Sequence, residues 1–523
     1  MVYTRKFNAQ KKNGKRLLLN FEAVDWRTQV FINGIEAMDA PHENGNQAFS
    51  VDITKFIKNG ENDLKVVAWD PTHTFVITGG KQNDKSKGCF YTRVSGIWQT
   101  VWMEEVPDNY IKSYHVVTDI DRGEVRFTFK ASGDITEDVE IDVFDAEGRR
   151  VATAENEADE GVVVKMPRNF KLWSPSSPYL YTFKARFDDD KFDGYFGMRK
   201  IERAKDAKGV WRFRLNNEFI FPIGTLDQGW WPDGLLTPPS VEACEFDIKT
   251  LKKCGFNMLR KHIKVEPRIY YYLCDKIGIL LFQDAPSPVG HCNLFNLEKS
   301  LQRYGMFRRE WKEEIDTLRN HPSIVMWIPY NEAWGQPDVE YTDNTLRWTK
   351  RYDPTRLVGG PSGWSDYEGG DMVTYPETAL VRDPDVEESA DPASDVVDNH
   401  TYPGPAQCRQ HKHRISLLGE FGGLGLRIPG HIWDEKNSWG YANTGKVASR
   451  EDNQKHYLEL MEKLYPLIDT GLAGAVYTQT TDVETEINGL MTYDRKVFKY
   501  DFDVLVEAHR KVVERADKVS KLK

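Results

Sequence analysis

The sequence lacks the features of a membrane protein. No run of 18 or more apolar residues occurs in its 523 residues, whereas a membrane-spanning helix needs about 20. The first ten residues also lack the apolar segment of a signal peptide. We therefore expect a soluble protein without a membrane partner. The chain as written predicts a cytoplasmic location, or a periplasmic or secreted one if a preceding segment carried a signal.

Cysteine is scarce, and positive charge is neither abundant nor concentrated. The six cysteines form no C-x-x-C pair, which argues against a disulfide framework and a structural zinc site. The 70 Lys and Arg residues are outnumbered by 80 Asp and Glu residues, for a net charge of −10. Nucleic acid is excluded as a partner, because its binding needs a clustered Lys/Arg face.

Aromatic residues, by contrast, are plentiful, with 15 Trp, 23 Tyr and 26 Phe. Large flat side chains fill hydrophobic cores, and they also stack on sugar rings and bases. We expect most of them to be core residues.

The first 204 residues predict two β-sandwiches in succession. Residues 1–106 contain short apolar or alternating strands, with the hairpin signal Asn-Gly at Asn33-Gly34 and Asn59-Gly60. Residues 107–204 contain strictly alternating strands and are about as long as an immunoglobulin-like sandwich, although the cysteines of antibody domains are absent.

From residue 205 onwards, short apolar runs alternate with amphipathic stretches, which is typical of a parallel sheet built from βα units. Eight such units over 205–523 predict a (β/α)8 barrel. An open doubly wound sheet is the alternative, but no G-x-G-x-x-G motif follows the first strand. The predicted strands cover 219–224, 257–261, 279–283, 324–329, 357–359, 396–400, 415–419 and 474–477. The predicted helices include 241–254, 306–320 and 454–467.

Two of these strands deliver a glutamate at their carboxyl ends, where barrels gather their functional residues. Glu332 follows the fourth strand and Glu420 follows the seventh, 88 residues later. Three βα units of average length span about 94 residues, so the two carboxylates should face each other across the barrel mouth. A pair about 5 to 5.5 Å apart is what a retaining glycoside hydrolase needs. Salt bridges at strand ends are the structural alternative.

Several motifs, taken in order, carry a resemblance to a known family. The segment His321-Pro-Ser-Ile-Val-Met-Trp-Ile-Pro-Tyr-Asn-Glu332 resembles the acid/base signature of glycoside hydrolase family 2, which includes β-galactosidases, β-glucuronidases and β-mannosidases. Ser95-Gly-Ile-Trp-Gln-Thr-Val-Trp102 is similar to the sugar-binding sandwich of that family. Phe196-Gly-Met-Arg199 resembles the exit from its immunoglobulin-like domain, and the likeness covers nearly the whole chain.

The resemblance implies roles for individual residues. Glu332 would be the general acid/base and Glu420 the nucleophile, and Asn331 would bind the sugar 2-hydroxyl unless it only caps the following helix. Further substrate-binding and positioning roles are implied at the ends of other strands, with structural roles as the alternative. They concern Arg260 and His262 at strand two and His400 and Tyr402 at strand six. Asp227 and Asp284 follow strands one and three and could bind sugar hydroxyls. The loops at the barrel mouth also hold four tryptophans that could stack on a sugar, namely Trp230, Trp231, Trp334 and Trp364.

The chain also departs from the family pattern. The family's first sandwich begins well before the point that matches Met1, so we expect an N-terminally shortened sandwich, and incomplete sandwiches favour self-association. The Asn-x-Lys pair with which β-glucuronidases bind a carboxylate is not evident after Glu420, although Arg427 could replace it. An acidic insertion at 361–395 predicts a solvated lid rather than a calcium site.

Taken together, these features predict an exo-acting retaining β-glycosidase that acts on a glycoside or oligosaccharide and requires no cofactor. Our first expectation for the sugar is a β-galactoside, with β-glucuronidase or β-mannosidase activity as alternatives. Some family members use Mg²⁺ or Na⁺, and a divalent cation is possible here, but no metal ligands can be assigned from the sequence. A rival of another class is a non-catalytic carbohydrate-binding protein on a degenerate glycosidase scaffold.

Overall fold

The computed structural model describes residues 1–71, 77–287, 297–332, 336, 339–363, 391–406, 411–442 and 449–521. Chain contacts divide it into two compact units. The first comprises Met1–Phe75, Val94–Lys200 and Lys312–Pro322, and the second comprises Val76–Arg93, Ile201–Trp311 and Ser323–Lys523. Among the described residues, no helix combines the length and apolarity needed to cross a bilayer.

Residues 1–107 contain an antiparallel β-sandwich with the sheet orders β1-β8-β4-β5 and β12-β2-β7. Strands β9 and β10 pair with each other and belong to the second unit. The strands are β1 (Val2–Ala9), β2 (Lys15–Phe21), β3 (Val24–Asp25), β4 (Arg27–Ile32), β5 (Ile35–Glu36), β6 (His42–Glu43), β7 (Phe49–Asp52), β8 (Gly60–Trp69), β9 (Gln82–Asn83), β10 (Tyr91–Thr92), β11 (Gly96–Ile97) and β12 (Val101–Pro107).

The two Asn-Gly signals have different outcomes. Asn33 and Gly34 both have positive φ and connect the paired strands β4 and β5, as predicted for a hairpin. The prediction of a hairpin at Asn59-Gly60 is wrong. There the chain passes between sheets, because β7 pairs with β2 whereas β8 pairs with β1 and β4.

Residues 111–196 form the immunoglobulin-like sandwich, with sheets β13-β14-β17 and β16-β15-β20-β21. In β20 the alternation is complete, since Tyr181, Phe183 and Phe187 are buried while Thr182 and Lys184 are exposed. The strands are β13 (Ile111–Asp119), β14 (Glu124–Ala131), β15 (Asp138–Phe144), β16 (Arg150–Glu157), β17 (Val162–Lys165), β18 (Trp173–Ser174), β19 (Ser177–Pro178), β20 (Tyr181–Phe187) and β21 (Asp190–Phe196).

The described residues between 223 and 521 form the predicted (β/α)8 barrel. It is preceded by the antiparallel sheet of β22 (Ile201–Lys205), β23 (Trp211–Leu215) and β24 (Glu218–Ile220). The barrel strands and the helices are β25 (Ile223–Asp227), α1 (Val241–Lys253), β26 (Met258–Lys261), α2 (Arg268–Ile277), β27 (Leu280–Asp284), α3 (Leu297–Leu318), β28 (Ile324–Ile328), α4 (Val339–Tyr352), β29 (Leu357–Val358), β30 (Val396–Thr401), β31 (Ile415–Gly422), α5 (Arg450–Asp469), β32 (Leu472–Thr478) and α6 (Phe502–Lys521).

All eight barrel strands pair in parallel in the order β29-β28-β27-β26-β25-β32-β31-β30. The ring closes between β29 and β30 through hydrogen bonds between Asp395 and Val358. The Asp395 backbone N–H donates to the Val358 carbonyl (2.7 Å), and the Asp395 carboxylate accepts from the Val358 N–H (2.9 Å). The strands are buried on both faces, which explains their continuous apolar sequences.

The predicted first barrel strand, 219–224, needs correction. Phe219 and Ile220 belong to β24, which pairs antiparallel with β23, and the barrel strand begins at Ile223. Pro222 lies between the two strands. A proline has no N–H to donate to a ladder, so the apolar run divides there into two strands.

Candidate active site

The two candidate catalytic glutamates come from opposite parts of the ring. Glu420 lies within β31, and Glu332 lies four residues beyond the end of β28. The Glu332 backbone has a positive φ of 48° and donates its N–H to the Ser362 carbonyl (2.8 Å). This conformation is uncommon for a residue with a side chain, so the neighbouring bridge between Asn331 and Ser362 helps to hold it.

Arg260, at the end of β26, is the hub of the site. Its guanidinium donates to both carboxylate oxygens of Asp284 (3.0 and 2.9 Å) and to Glu420 Oε1 (3.0 Å). It also donates to Asn331 Oδ1 (2.8 Å). Because one rigid planar cation binds all three side chains, their relative positions are fixed before any ligand arrives.

His400 and Tyr402 lie at the end of β30 and approach the two glutamates from one side. His400 Nδ1 lies 2.6 Å from Glu332 Oε1 and 3.6 Å from Glu420 Oε1. The Tyr402 hydroxyl donates to Glu420 Oε2 and shares a second hydrogen bond with Thr478 Oγ1 (2.7 Å). Glu420 is therefore held by three neighbours, Arg260, His400 and Tyr402.

The two carboxylates are close together. An oxygen of Glu332, a ring nitrogen of His400 and an oxygen of Glu420 all lie within 4.8 Å of one another. Inverting glycosidases separate their carboxyl groups by about 6.5 to 9.5 Å to admit a water, whereas retaining enzymes need only about 5 to 5.5 Å. The nearest oxygens of Glu332 and Glu420 are thus closer together than the inverting range.

Neighbouring charges set the protonation of Glu420 and of His400. Burial alone would raise the pKa of Glu420, but the positive charges of His400 and Arg260 outweigh burial and hold that pKa below its usual value. Burial alone would lower the pKa of His400, but Glu420 and Glu332 raise it. The site therefore favours an ionised Glu420 beside a protonated His400.

Asp284 and His262 form a further hydrogen-bonded pair in the site. The His262 ring lies 3.0 Å from Asp284 Oδ2, and both side chains are almost fully buried. Burial raises the pKa of Asp284 to about 6 although Arg260 opposes the rise, and burial lowers the pKa of His262 well below its usual value. A neutral His262 hydrogen-bonded to Asp284 is the consequence.

A pocket of about 160 Å³ opens directly onto the two glutamates. Its volume is small beside the roughly 300 to 1,000 Å³ of sites for drug-sized ligands. The pocket is lined by Lys81, Cys89, Leu226, His262, Asn331, Glu332, Tyr402, Glu420, Trp439, Tyr441, Thr478 and Glu486.

Family models match all three parts of the chain. The glycosyl hydrolases family 2 sugar-binding domain matches residues 1–107, a second family 2 domain matches 109–199, and the family 2 TIM barrel domain matches 240–377. The chain belongs to glycosyl hydrolase family 2.

Sequence relatives in family 2 have two different named activities. A β-galactosidase of Thermoanaerobacter pseudethanolicus is 27% identical over 395 residues, covering 71% of this chain and 50% of its own length. A β-glucuronidase of Rattus norvegicus is 26% identical over 381 residues, which cover 66% of this chain and 55% of the rat protein. The chain thus spans about half the length of the curated relatives that it matches.

A solved structure agrees with this chain in fold. The β-D-glucuronidase from Dictyoglomus thermophilum superimposes with a TM-score of 0.75 at 18% identity, covering 98% of this chain and 89% of that one. At this identity the likeness concerns the fold alone.

Most of the site residues proposed from the sequence come together in this family 2 barrel, but the two aspartates take other positions. Among the described residues that line the pocket, neither Asp227 nor Asp284 occurs. The Asp227 carboxylate accepts hydrogen bonds from Lys261 (2.8 Å) and Tyr270 (2.7 Å), and Asp284 is bound by Arg260. The oxygens of both aspartates thus already bind buried donors, and their binding of sugar hydroxyls stays a prediction.

Two of the four loop tryptophans are covered in the structure. Trp230 is fully buried and packs against Trp433, and the guanidinium of Arg495 lies 3.7 Å above the ring of Trp231. Both rings are covered, so neither offers a face to a sugar. Trp334, Trp364 and most of the acidic insertion, residues 364–390, lie outside the described residues. Arg427, the suggested carboxylate-binding cation, pairs with Glu435 (2.6 Å).

Sequence reasoning missed part of the pocket wall. Lys81 and Cys89 come from the segment 77–93, and Trp439, Tyr441 and Glu486 come from loops after β31 and β32. In the sequence, the pair Gly79-Gly80 was the only sign that this segment makes a close approach to another part of the chain. Gly80 has a φ of 62°, and a Cβ there would lie 2.7 Å from the Ile263 carbonyl, so only glycine permits this close approach.

The cluster of Glu332, His400 and Glu420 also has the donor types of a metal site. The 2.6 Å separation between His400 Nδ1 and Glu332 Oε1 is that of a charge-assisted hydrogen bond. This geometry fits a proton shared between the two groups. That catalysis needs no cofactor stays a prediction.

Proposed function

We propose that this chain is an exo-acting retaining β-glycosidase that hydrolyses a terminal β-linked sugar by double displacement. The observation that carries the proposal is the close pair of carboxylates, Glu332 and Glu420, at the base of a small pocket. A pocket of this size suits one terminal sugar ring, which supports exo action.

Glu420 is assigned the nucleophile. Its lowered pKa keeps it ionised, and Arg260 and Tyr402 orient one carboxylate oxygen each. Attack on the anomeric carbon forms a covalent glycosyl ester, and the bond to the leaving group breaks as Glu332 donates its proton to the glycosidic oxygen.

Glu332 then changes from acid to base. Glu332 has given its proton to the leaving group in the first step, so it is a carboxylate once Glu420 is esterified. Glu332 can therefore accept a proton from the water that attacks the ester. His400 is hydrogen-bonded to Glu332 and lies close to Glu420, so it contacts both carboxylates whose charges change during the reaction.

Asn331 is assigned to the sugar 2-hydroxyl. Its Oδ1 accepts from Arg260, which fixes the amide orientation and directs the Nδ2 donors elsewhere, and the residue lines the pocket. A hydrogen bond at this hydroxyl strengthens in the transition state and so contributes to the rate.

The first test is hydrolysis of 4-nitrophenyl β-galactoside, β-glucuronide and β-mannoside. We expect the galactoside to be the best substrate, because Arg427 is paired with Glu435 and does not offer a free cation to a glucuronide. Preference for the glucuronide or mannoside would overturn the sugar assignment. Sugar binding without turnover of any glycoside would support the non-catalytic alternative.

The second test assigns the glutamates. Glu420→Ala should lower kcat by at least about ten thousandfold and, with azide, should form the inverted α-glycosyl azide. Glu332→Ala should form the retained β-glycosyl azide instead. The exposed Glu451→Gln is the control and should match wild type. The assignment fails if an active wild type keeps its rate in both alanine variants, or if the two azide products are exchanged.

A further inference from the structure

The segment 77–93 reaches the barrel pocket and is held there by several hydrogen bonds. The Gly88 carbonyl accepts from the indole N–H of Trp439 (3.1 Å) and from the Thr485 hydroxyl (2.8 Å). The Thr92 backbone N–H donates to Glu484 Oε1 (2.8 Å). The segment is thus attached to the loop after β32, which also carries Glu486.

This attachment brings Lys81 into the pocket that Glu486 and the catalytic pair also line. Lys81 and Glu486 both line the pocket with Glu332 and Glu420, although only 6% of Lys81 and 4% of Glu486 is exposed. Gln228 donates its amide to Glu486 Oε2 (2.7 Å), which orients that carboxylate. The catalytic roles assigned above account for neither Lys81 nor Glu486.

Charge keeps the lysine protonated. Burial alone would lower the pKa of Lys81, but interactions with Cys89 and with the carboxylates Glu486, Glu420 and Glu332 outweigh burial and raise it. Burial raises the pKa of Glu486, and the positive charge of Lys81 and the hydrogen bond from Gln228 oppose that rise. A buried ammonium offers up to three N–H donors, and an ionised carboxylate offers only acceptors. Neighbouring hydroxyls on a pyranose ring can satisfy one group of each kind.

We propose that Lys81 and Glu486 form a sugar-binding pair, in which the ammonium donates to one ring hydroxyl and the carboxylate accepts from another. The pair contributes no net charge, and Glu486 would repel a sugar carboxylate, so the pair selects an uncharged sugar. This inference rests on the proposed glycosidase function and deepens it. It also makes the segment 77–93 part of the substrate pocket.

The kinetic experiment compares wild type with Lys81→Met and Glu486→Gln on 4-nitrophenyl β-galactoside and its 3-, 4- and 6-deoxy analogues. Each substitution should lower kcat/KM for the parent glycoside by about 10- to 100-fold, as expected for a hydrogen bond to a charged group. In wild type, removing a bound hydroxyl from the substrate should lower kcat/KM. Each variant should hydrolyse one particular deoxy analogue as well as the parent glycoside, because the hydroxyl that this analogue lacks no longer has a partner in the variant. Equal losses on every analogue would show a merely structural role and overturn the pair.

The matched controls are Lys85→Met, an exposed lysine of the same segment, and Glu459→Gln, an exposed glutamate of α5. Both should behave as wild type. Because Lys81 and Glu486 are buried, thermal unfolding of each variant is measured in parallel. Lys81→Arg, which keeps the charge but changes its reach, should regain part of the lost affinity.

Kinetics on a glucuronide test the opposite possibility, that Lys81 binds a charged sugar. If Lys81→Met reduces kcat/KM for 4-nitrophenyl β-glucuronide at least tenfold more than for the galactoside, Lys81 binds a sugar carboxylate and the selection of an uncharged sugar is wrong.

Calorimetric titration with galactose and glucuronate separates this proposal from the catalytic one, since it needs no turnover. Weaker galactose binding by both variants would support the pair even if no glycoside were hydrolysed. Equal galactose binding by wild type and both variants, or no sugar binding by wild type, would overturn it.

Discussion

Adjacent residues of strand β26 take part in two different buried charge clusters. The Arg260 cluster consists of Arg260, Asp284, Asn331, His400 and Glu420, and the Lys261 cluster consists of Lys261, Asp227, Lys264, Glu266 and Tyr270. Neither Arg260 nor Lys261 exposes any surface, so burial does not distinguish the two clusters.

The difference lies in how the charges are matched. In the Lys261 cluster two lysines meet two carboxylates: Lys261 binds Asp227 (2.8 Å) and Glu266 (2.7 Å), and Lys264 binds Glu266 (2.9 Å). Burial alone would raise the pKa of Asp227, but Lys261 outweighs it and the pKa is lowered. The two lysines and the two carboxylates of the Lys261 cluster therefore balance one another's charge.

In the Arg260 cluster the charges compete instead. One guanidinium serves both Asp284 and Glu420, so Asp284 keeps a pKa raised by burial to about 6 while that of Glu420 is lowered. Glu420 also lines the pocket. The comparison teaches that a carboxylate at a strand end indicates a functional site only where its charge is incompletely balanced and its oxygens can be reached.

The largest expected effect comes from removing the shared cation. Arg260→Met should lower kcat/KM for an aryl glycoside by about a thousandfold or more, because Glu420 loses both its orientation and a stabilising charge. Steady-state kinetics and thermal unfolding of the purified variant provide the measurement. An activity within tenfold of wild type would show that the Arg260 cluster is structural, like its neighbour.

Lys261→Met is the matched change on the other cluster. It leaves Asp227 and Glu266 without their common cation, and breaking a buried pair costs about 3 to 5 kcal/mol in the free energy of unfolding. We expect kcat/KM to stay within about tenfold of wild type, because its partners do not line the pocket in the described part of the chain. Urea unfolding and kinetics on the same sample decide, and a catalytic loss equal to that of Arg260→Met would remove the distinction.

Tyr402→Phe tests how the Arg260 cluster tunes the nucleophile. Activity needs an ionised Glu420, so it is present above that pKa and is lost as pH falls through it. Removing the hydroxyl that donates to Glu420 raises the pKa, so the acidic limb of kcat/KM should move to higher pH and the maximum should fall about tenfold. A pH profile with an unmoved acidic limb would contradict this role for Tyr402.

Asp227→Asn should have the smallest effect. The amide keeps the shape of the carboxylate, and Lys261 retains Glu266, so we expect a loss of about 1 to 3 kcal/mol in the free energy of unfolding and unchanged kcat/KM. Were kcat/KM to fall a hundredfold without a change in stability, Asp227 would bind substrate after all, as the sequence alone suggested.

Much of the fold was accessible from the sequence because the signals are local. Parallel barrel strands are buried on both faces, so they appear as apolar runs such as 324–328 and 415–419. The misplaced first strand shows the limit. Phe219 and Ile220 are as apolar as a barrel strand, and only their pairing with β23 assigns them to another sheet.

The site was accessible in part for the same reason. Glu332 and Glu420 follow recognisable strands, and the order of the barrel places them on one rim. Asp227 and Asp284 also follow strands, yet the sequence does not tell which donors their oxygens meet. That depends on Lys261, Tyr270 and Arg260, which reach them across neighbouring strands.

By itself, the sequence determined the two sandwiches, the eight-stranded barrel, its family and the two glutamates, because hydrophobic periodicity and strand-end motifs are written in consecutive residues. Only the tertiary structure decided which charges share a cluster and that Lys81, about 340 residues before Glu420 in the chain, lines the same pocket. The reason is physical: the effect of a buried charge depends on its neighbours in space, and a long-range approach such as that of Gly80 to Ile263 leaves only a glycine as its trace.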